Sequence, residues 1–557
     1  MKLGKRTLAI VVGLVVVVGG TLGWLSTLDG KIALMKAVTA WKHPVGPNQP
    51  VVWQQGPAVA DKPAGERAPN IIVILADDLG YNDLAINGGG VADGAVPTPN
   101  INSIAHEGAN LTDGYAGNAT CAPSRAAIMT GRYATRVGYE FTPAGVLFSR
   151  TIAGFDNRGA AYPPVYHPDA EANYPTDDKI GVPSSEIMVP ELLKKKGYHS
   201  LIFGKWHLGE GPGMTPTEQG YDEFLGFLIG AQKFDLADSP NVVNAKQDFD
   251  PIDKFLWAAL PFSVQYNNDP RFHPDEYMTD YLGDQAVAAI DANKNRPFFM
   301  YLSFNAPHTP LQALKSDYDS LPGISDHRLR VYAAMIKALD RNVGKVLEKL
   351  KADGLDENTV IIFTSDNGGA HYIGLPEINK PYRGWKATFF EGGLRVPYFI
   401  KWPRQIAPGT VFNEPVGHVD IFATAAAAAD IALPTDRQID GVNLLPYLAG
   451  RKQGRPHETL YWRSGHYKVM LDGDWKLLED GTSAQTWLFN LKDDPTEQTN
   501  LAATEPARLA EVKAALDKVD GEQSKPLWPA LIEFPIAIDH TLEEPVKKGD
   551  EYIYWSN

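Results

Sequence analysis

The sequence predicts an α/β protein in which helices sandwich a large, mostly parallel sheet, followed by a smaller C-terminal α+β subdomain containing an antiparallel sheet. Three observations predict this fold. Short, continuous apolar runs recur along the chain, and each ends in polar residues. Segments with an apolar residue every three or four positions lie between these runs. After about residue 455, shorter strand-like stretches follow one another closely. Strands that alternate with helices imply a parallel sheet covered on both faces.

Four apolar runs are predicted to be buried strands with functional groups at their carboxyl ends. The runs are 71–75, 199–203, 298–304 and 359–364. The polar residues that follow them are, in the same order, Asp77-Asp78, Lys205 and His207, Asn305 and His308, and Asp366-Asn367. Ligands of open α/β sheets bind at the edge where the carboxyl ends of the strands meet. We therefore expect these side chains to meet at one site.

Helices and a hairpin are predicted from spacing. Apolar residues between Tyr332 and Leu350 follow three-and-four spacing, which predicts one amphipathic helix. Residues 467–471 and 475–478 flank a turn and predict a β-hairpin. A further strand is expected at 487–491 and a helix at 507–519.

Composition excludes some classes of protein. The chain of 557 residues carries a net charge of −15, whereas nucleic-acid binders normally present a basic face, so no nucleic-acid partner is expected. Any site for an anionic substrate must therefore concentrate cations locally. The single cysteine excludes an intramolecular disulfide framework.

The N-terminus predicts export. Lys2, Lys5 and Arg6 precede an uncharged apolar run at 8–25. This pattern favours a signal-anchor that stays in the membrane over a cleaved signal peptide, and it places the bulk of the chain on the periplasmic or extracellular face. We expect the signal-anchor or signal peptide at residues 1–25 and a linker or arm at 26–68. The main, catalytic domain is expected at 69–454 and the C-terminal subdomain at 455–557.

The segment around the cysteine is the most specific motif in the chain. Cys121-Ala122-Pro123-Ser124-Arg125 is followed by Thr130-Gly131-Arg132. With these residues the chain resembles the type I sulfatases, the formylglycine-dependent, arylsulfatase-like branch of the alkaline phosphatase superfamily. Further blocks that match the family are 77–78, 204–209, 305–308, 365–368, 383–397 and 488–501. A buried structural cysteine beside a helix-starting proline is the alternative, and it leaves these other blocks unexplained.

The resemblance implies a modified nucleophile. A formylglycine-generating enzyme would oxidise Cys121 to formylglycine (3-oxoalanine) during maturation. The hydrated aldehyde carries two hydroxyl groups on one carbon. One attacks the sulfur of a sulfate monoester to give a formylglycine-sulfate intermediate, and deprotonation of the other expels sulfate and restores the aldehyde.

The resemblance also implies one divalent cation. Its ligands would be Asp77, Asp78, Asp366 and Asn367, together with the formylglycine at position 121. These are hard oxygen donors, which suit Ca²⁺, with Mg²⁺ as the alternative, and do not suit a zinc site.

Five further residues receive catalytic roles from the resemblance. Arg125 would hold the formylglycine, and Lys205 and Lys386 would contact the sulfuryl oxygens. His308, with Lys386, would protonate the leaving oxygen, and His207 would deprotonate the second hydroxyl.

Alternatives for activity and substrate stay open. A phosphonate monoester or phosphodiester hydrolase of the same superfamily is one rival, and a catalytically inactive, membrane-tethered sulfate-glycan binding protein is another. The apolar cluster at 253–265 and the aromatic insertion at 140–183 favour a small aryl or hydrophobic sulfate monoester. Alternatively, that cluster packs against a subdomain or faces a membrane.

Overall fold

The computed structural model describes residues 44–154 and 161–557, together with eight scattered residues before position 44. Residues 1–23 lie outside the described residues, so the export segment stays a prediction. Within the described part of the chain, no helix combines the length and the apolar character that crossing a membrane requires.

A nine-stranded mixed sheet forms the centre of the main domain. In chain order its strands are Asn70–Ala76 (β1), Ala109–Leu111 (β2), His199–Lys205 (β3), Glu223–Phe227 (β4), Gln265–Tyr266 (β5), Phe298–Ser303 (β6), Thr359–Ser365 (β7), Tyr398–Lys401 (β8) and Thr410–Phe412 (β9). Their order across the sheet is β9-β2-β8-β7-β1-β6-β3-β4-β5. The four predicted strands are β7, β1, β6 and β3, which are adjacent and parallel. Their carboxyl ends therefore share one edge, and the predicted fold class is confirmed.

Helices cover both faces of this sheet. In the described residues, the helices of eight or more residues are Pro99–His106 (α1), Cys121–Thr130 (α2), Val146–Ala153 (α3), Pro251–Ala259 (α4), Met278–Asn293 (α5), His327–Ala352 (α6), Asp420–Ala428 (α7) and Pro506–Gly521 (α8). Alternate residues of β1 point in opposite directions, as the period of a strand requires. Ile72 and Ile74 join a core with α1, α5 and α6, whereas Ile71 and Val73 join a core with α2 and α7. Helix α6 contains the whole predicted apolar stripe.

The C-terminal part contains a four-stranded antiparallel sheet, as predicted. Its strands are Thr459–Ser464 (β10), Tyr467–Asp472 (β11), Trp475–Asp480 (β12) and Gln485–Asn490 (β13). The hairpin register pairs Asp472 with Trp475 and leaves a two-residue loop. Helix α8 packs on one face of this sheet, while Val469 and Phe489 on the other face join the main-domain core.

The insertion at 140–183 contains regular structure and contacts remote parts of the chain. A short strand within it, Val165–Tyr166, pairs with Ile532–Ala537 (β14), which in turn pairs with Tyr552–Ser556 (β15). Two aromatic residues of the insertion pack against other parts of the chain. Phe148 of α3 packs against Phe255 of α4, with ring centroids 5.1 Å apart, and Tyr162 stacks on Tyr552 at 3.7 Å.

A buried charge network joins the C-terminal sheet to the main domain. Lys476 of β12 lies 2.7 Å from a carboxylate oxygen of Glu391 and 2.9 Å from one of Glu497. Glu391 also accepts hydrogen bonds from Arg395 at 2.8 Å and from the hydroxyl of Tyr115 at 3.0 Å. The network therefore fixes the segment that follows Lys386 in the chain.

Replacing Lys476 with alanine is expected to lower the free energy of unfolding by about 3–5 kcal/mol, because two buried carboxylates lose their shared cation. Urea titration followed by tryptophan fluorescence measures this change. Lys468→Ala is the matched control. Its ion pair with Asp520 is partly exposed, so its loss should cost at most about 1 kcal/mol. Equal losses in the two variants would contradict a stabilising role for the buried network.

Candidate active site

The cysteine lies where the carboxyl ends of the central strands meet. Cys121 is the first residue of α2 and is only 3% exposed. Its thiol lies 3.5 Å from Oδ1 of Asp77 and 3.7 Å from Oδ1 of Asp78, both of which follow β1. The first turn of a helix directs free backbone N–H groups and a partial positive charge toward this point. An anionic group bound beside Cys121 would therefore be stabilised by the helix.

Arg125 holds α2 against the ends of several strands. Its guanidinium group is fully buried and donates to Oδ2 of Asp366 over distances of 2.7 and 3.0 Å. It also donates to the carbonyl oxygen of Lys205 at 3.1 Å and to the hydroxyl of Ser303. Because Arg125 lies one helical turn after Cys121, these bonds fix the position of the cysteine.

Each of the two lysines pairs with one of the two adjacent aspartates. The ammonium of Lys205 lies 2.8 and 3.0 Å from the oxygens of Asp77, and that of Lys386 lies 2.8 Å from Asp78. Burial raises the pKa of Asp77 to about 7, although the Lys205 charge opposes this shift. Burial acts in the same direction on Asp78, but Lys386 and His308 outweigh it and hold the pKa of that carboxyl below its usual value.

The donor set at this edge fits a hard divalent cation. Four residues offer ligand atoms that all lie within 4.8 Å of one another: Asp77, Asp78, Cys121 and His308. Asp366 joins them through Oδ1, which accepts the backbone N–H of Asp78 at 3.2 Å. Asn367 donates from Nδ2 to Asp78 at 2.8 Å, while its Oδ1 is buried and has no partner among the described residues. The carboxylates and the free amide oxygen are ligands of the kind that Ca²⁺ or Mg²⁺ prefers, whereas the thiol of Cys121 and the imidazole of His308 are softer donors, so the fit to a hard cation depends on the oxygen atoms.

His308 belongs to the cluster around Cys121 and His207 follows β3, and the two histidines differ in their partners. Nδ1 of His308 is hydrogen-bonded to the carbonyl oxygen of Thr309 at 2.6 Å, and its Nε2 lies 3.4 Å from the Lys386 ammonium. Nδ1 of His207 is buried without a partner in the part of the chain that the structure describes. Burial lowers the pKa of both, in His308 to about 3. In both rings burial disfavours the protonated form.

Tyr372 is a site residue that the sequence did not indicate. Its hydroxyl donates to Oδ2 of Asp78 at 3.0 Å and accepts from the Lys386 ammonium at 3.1 Å. The carbonyl oxygen of the neighbouring His371 accepts the backbone N–H of Leu542. Both residues lie in one short 3₁₀ turn, and no local pattern distinguishes which of two adjacent side chains faces the site.

A cavity of about 220 Å³ lies beside the active site. The ring of His207 forms part of its wall, together with Asp177, Glu210 and the residues of the insertion at 143–145. The insertion therefore borders the site, as its position in the sequence suggested. The cavity offers space for the alcohol part of a substrate.

Comparisons with known proteins agree with this geometry. A family model described as sulfatase matches residues 69–431, and one described as N-sulphoglucosamine sulphohydrolase, C-terminal, matches residues 383–522. The N-acetylgalactosamine-6-sulfatase of Mus musculus is 33% identical over 424 residues, which cover 73% of this chain and 71% of that protein. The steryl-sulfatase of the same species is 31% identical over 72% of this chain and 68% of that protein.

Solved structures give the same result. The crystal structure of Ps i-CgsB in complex with k-i-k-neocarrahexaose superimposes with a TM-score of 0.69 at 30% identity, covering 83% of this chain and 95% of that one. The family model alone spans more than half of the sequence. The chain therefore belongs to the sulfatase family and is an enzyme that hydrolyses sulfate esters.

Proposed function

We propose that this sulfatase cleaves sulfate monoesters with formylglycine at position 121 and one divalent cation, Ca²⁺ or Mg²⁺. The observation that carries the proposal is the position of Cys121. Cys121 is the first residue of α2, and its thiol lies beside Asp77 and Asp78, which pair with Lys205 and Lys386. We further propose that a formylglycine-generating enzyme matures the chain. Residues 1–25 would direct its export and anchor it to the membrane, with the catalytic domain on the periplasmic or extracellular face.

The surroundings of Cys121 support a modified nucleophile. Burial and the negative charge of Asp366 raise the pKa of the Cys121 thiol, so an unmodified cysteine would be a poor nucleophile at neutral pH. When present, hydrated formylglycine supplies two hydroxyl groups on one carbon, one to attack sulfur and one whose deprotonation releases sulfate. The cation, held by Asp77, Asp78, Asp366 and Asn367, supplies positive charge that favours hydroxyl ionisation.

The remaining residues have roles that follow from their positions. Lys205 pairs with Asp77 and Lys386 pairs with Asp78. We assign both ammonium groups to contacts with sulfuryl oxygens. Lys386 and Nε2 of His308 are close enough to share a proton that passes to the leaving oxygen. We assign to His207 the acceptance of a proton as sulfate is released, because its buried Nδ1 has no partner among the described residues. Arg125 balances the charge of Asp366 and holds α2.

A preference for sulfate over phosphonate esters tests the rival hydrolase activity. We expect kcat/KM for an aryl sulfate to exceed that for the matching aryl phosphonate monoester by about a hundredfold or more, a difference of about 2.7 kcal/mol. A sulfate monoester presents three non-bridging oxygens to the two lysines and the cation, whereas a phosphonate replaces one oxygen with an uncharged carbon substituent. The measurement compares the two esters of one phenol. Equal or reversed values would favour the phosphonate hydrolase.

A further inference from the structure

The cavity next to His207 has carboxylates in its wall and no positive side chain. Asp177 and Glu210 line it, and neither lysine nor arginine does so in the described residues. Apolar contacts come from Ile180, Leu228 and Ile229. The cavity therefore combines an apolar surface with two carboxylates, and Arg271, outside the wall, offsets part of the charge of Glu210.

The cavity also adjoins the reacting groups. His207 is only 8% exposed, its Nδ1 has no partner among the described residues, and its ring forms part of the cavity wall. A molecule in this cavity therefore contacts a residue that we place in the reaction. The alcohol part of a bound sulfate ester is the group that can occupy it.

We propose that this cavity is a subsite for an uncharged, hydroxyl-bearing alcohol and that Asp177 and Glu210 exclude substrates with a second anionic group. This inference rests on the proposed sulfatase chemistry and specifies its substrate class. Carboxylates accept hydrogen bonds from hydroxyl groups of the ligand, and Ile180 and Leu228 contact its carbon skeleton. Both carboxylates are exposed to solvent, and at low ionic strength we expect them together to disfavour a second anion by about tenfold.

The test uses two aryl sulfates of similar shape whose phenols have similar acidity. One carries a neutral para-hydroxymethyl group and the other a para-carboxylate. We expect wild-type enzyme to prefer the neutral ester by about tenfold in kcat/KM at low salt, with the preference falling as salt screens the charges. Asp177→Asn and Glu210→Gln should each reduce the preference about threefold. Asp178→Asn, which removes an exposed carboxylate outside the cavity wall, should leave it unchanged.

Two outcomes would overturn the subsite. Wild-type enzyme that hydrolyses both esters equally well would do so, as would variants that keep the full wild-type preference. Failure of the proposed chemistry itself gives a different result, because neither ester would then be hydrolysed by wild-type enzyme.

The contacts of Tyr372 carry a second, independent inference. Lysine has a flexible four-carbon chain, so the position of its ammonium depends on its partners. The ammonium of Lys386 donates to Asp78 and to the hydroxyl of Tyr372. The same ammonium lies 3.4 Å from Nε2 of His308. We infer that Tyr372 is a positioning residue that keeps Lys386 beside His308, where the two donate a proton to the leaving oxygen.

The dependence of rate on the leaving group tests this role. Tyr372→Phe removes the hydroxyl and keeps the ring. We expect kcat for sulfates of weakly acidic phenols to fall about tenfold or more, because those leaving groups need a proton. For 4-nitrophenyl sulfate, whose leaving group needs little help, the fall should stay below about threefold.

Tyr198→Phe is the matched control. It removes a buried hydroxyl that donates to the carbonyl of Pro69 at the opposite edge of the sheet. This variant should show the wild-type dependence on leaving-group acidity. A uniform loss across the series in Tyr372→Phe, or no loss, would overturn the positioning role. If the wild-type enzyme hydrolysed none of the sulfates in the series, that result would instead contradict the proposed chemistry.

Discussion

Sulfate release is expected to fall by about 10⁴-fold or more when Cys121 is replaced with alanine in protein made by its natural host, because no other residue supplies the nucleophile. The measurement is steady-state sulfate release from an aryl sulfate. Mass spectrometry of the wild-type peptide that contains Cys121 should also show formylglycine, which is lighter than cysteine.

Cys121→Ser is the informative control for this variant. A serine has one hydroxyl group and no second hydroxyl to expel sulfate, so it should stop after at most one turnover with sulfate covalently bound. Intact-mass measurement would detect that adduct. Unchanged sulfate release in Cys121→Ala would contradict the proposed nucleophile. A wild-type cysteine that is wholly unmodified in the natural host would support a binding protein without turnover.

Replacing Asp366 with asparagine is expected to lower kcat/KM by about 10³-fold and to weaken stabilisation by Ca²⁺ or Mg²⁺. The change keeps the shape of the side chain but removes the charge that faces the donor set and pairs with Arg125. Thermal unfolding with and without each cation, after treatment with a chelator, measures the effect on binding, because a ligand that binds the folded state raises its stability.

Asp340→Asn is the control for this variant. Asp340 is a buried carboxylate that accepts the backbone N–H of Ile101 at 2.8 Å and has no contact with the site. Its replacement should lower stability without changing the response to cations. If Asp366→Asn kept the full cation-dependent increase in melting temperature, Asp366 would not be a ligand of the ion.

The centre of the fold is predictable because its signals are local. Each central strand is a short apolar run followed by polar residues, which is the pattern of a strand buried on both faces of a parallel sheet. The edge strands are different. Gln265–Tyr266 has two residues, too few for any periodicity. The pairing of Val165–Tyr166 with β14 joins segments more than 360 residues apart, and no local pattern encodes such a contact.

Much of the candidate site was predictable for the same reason. Apart from Lys386, which lies in a loop, the residues proposed to bind the cation and the sulfate group end or follow strands or begin a helix, so one sheet edge brings them together. Tyr372 was missed because it lies in a loop, where the direction of a side chain depends on tertiary contacts. The packing of the aromatic insertion was not predictable for a related reason. Composition shows that Phe148 is apolar, but it does not show that Phe255 covers it.

The near-complete burial of Cys121 has a consequence for biogenesis. An oxidising enzyme needs the thiol in its own active site, yet in the folded chain that thiol lies beneath the first turn of α2 with 3% of its surface accessible. Maturation by the proposed route must therefore happen on a nascent or translocating polypeptide. Folding and modification would then compete in time. A chain that folds before Cys121 is oxidised would reach the native fold with an unmodified cysteine and would be inactive.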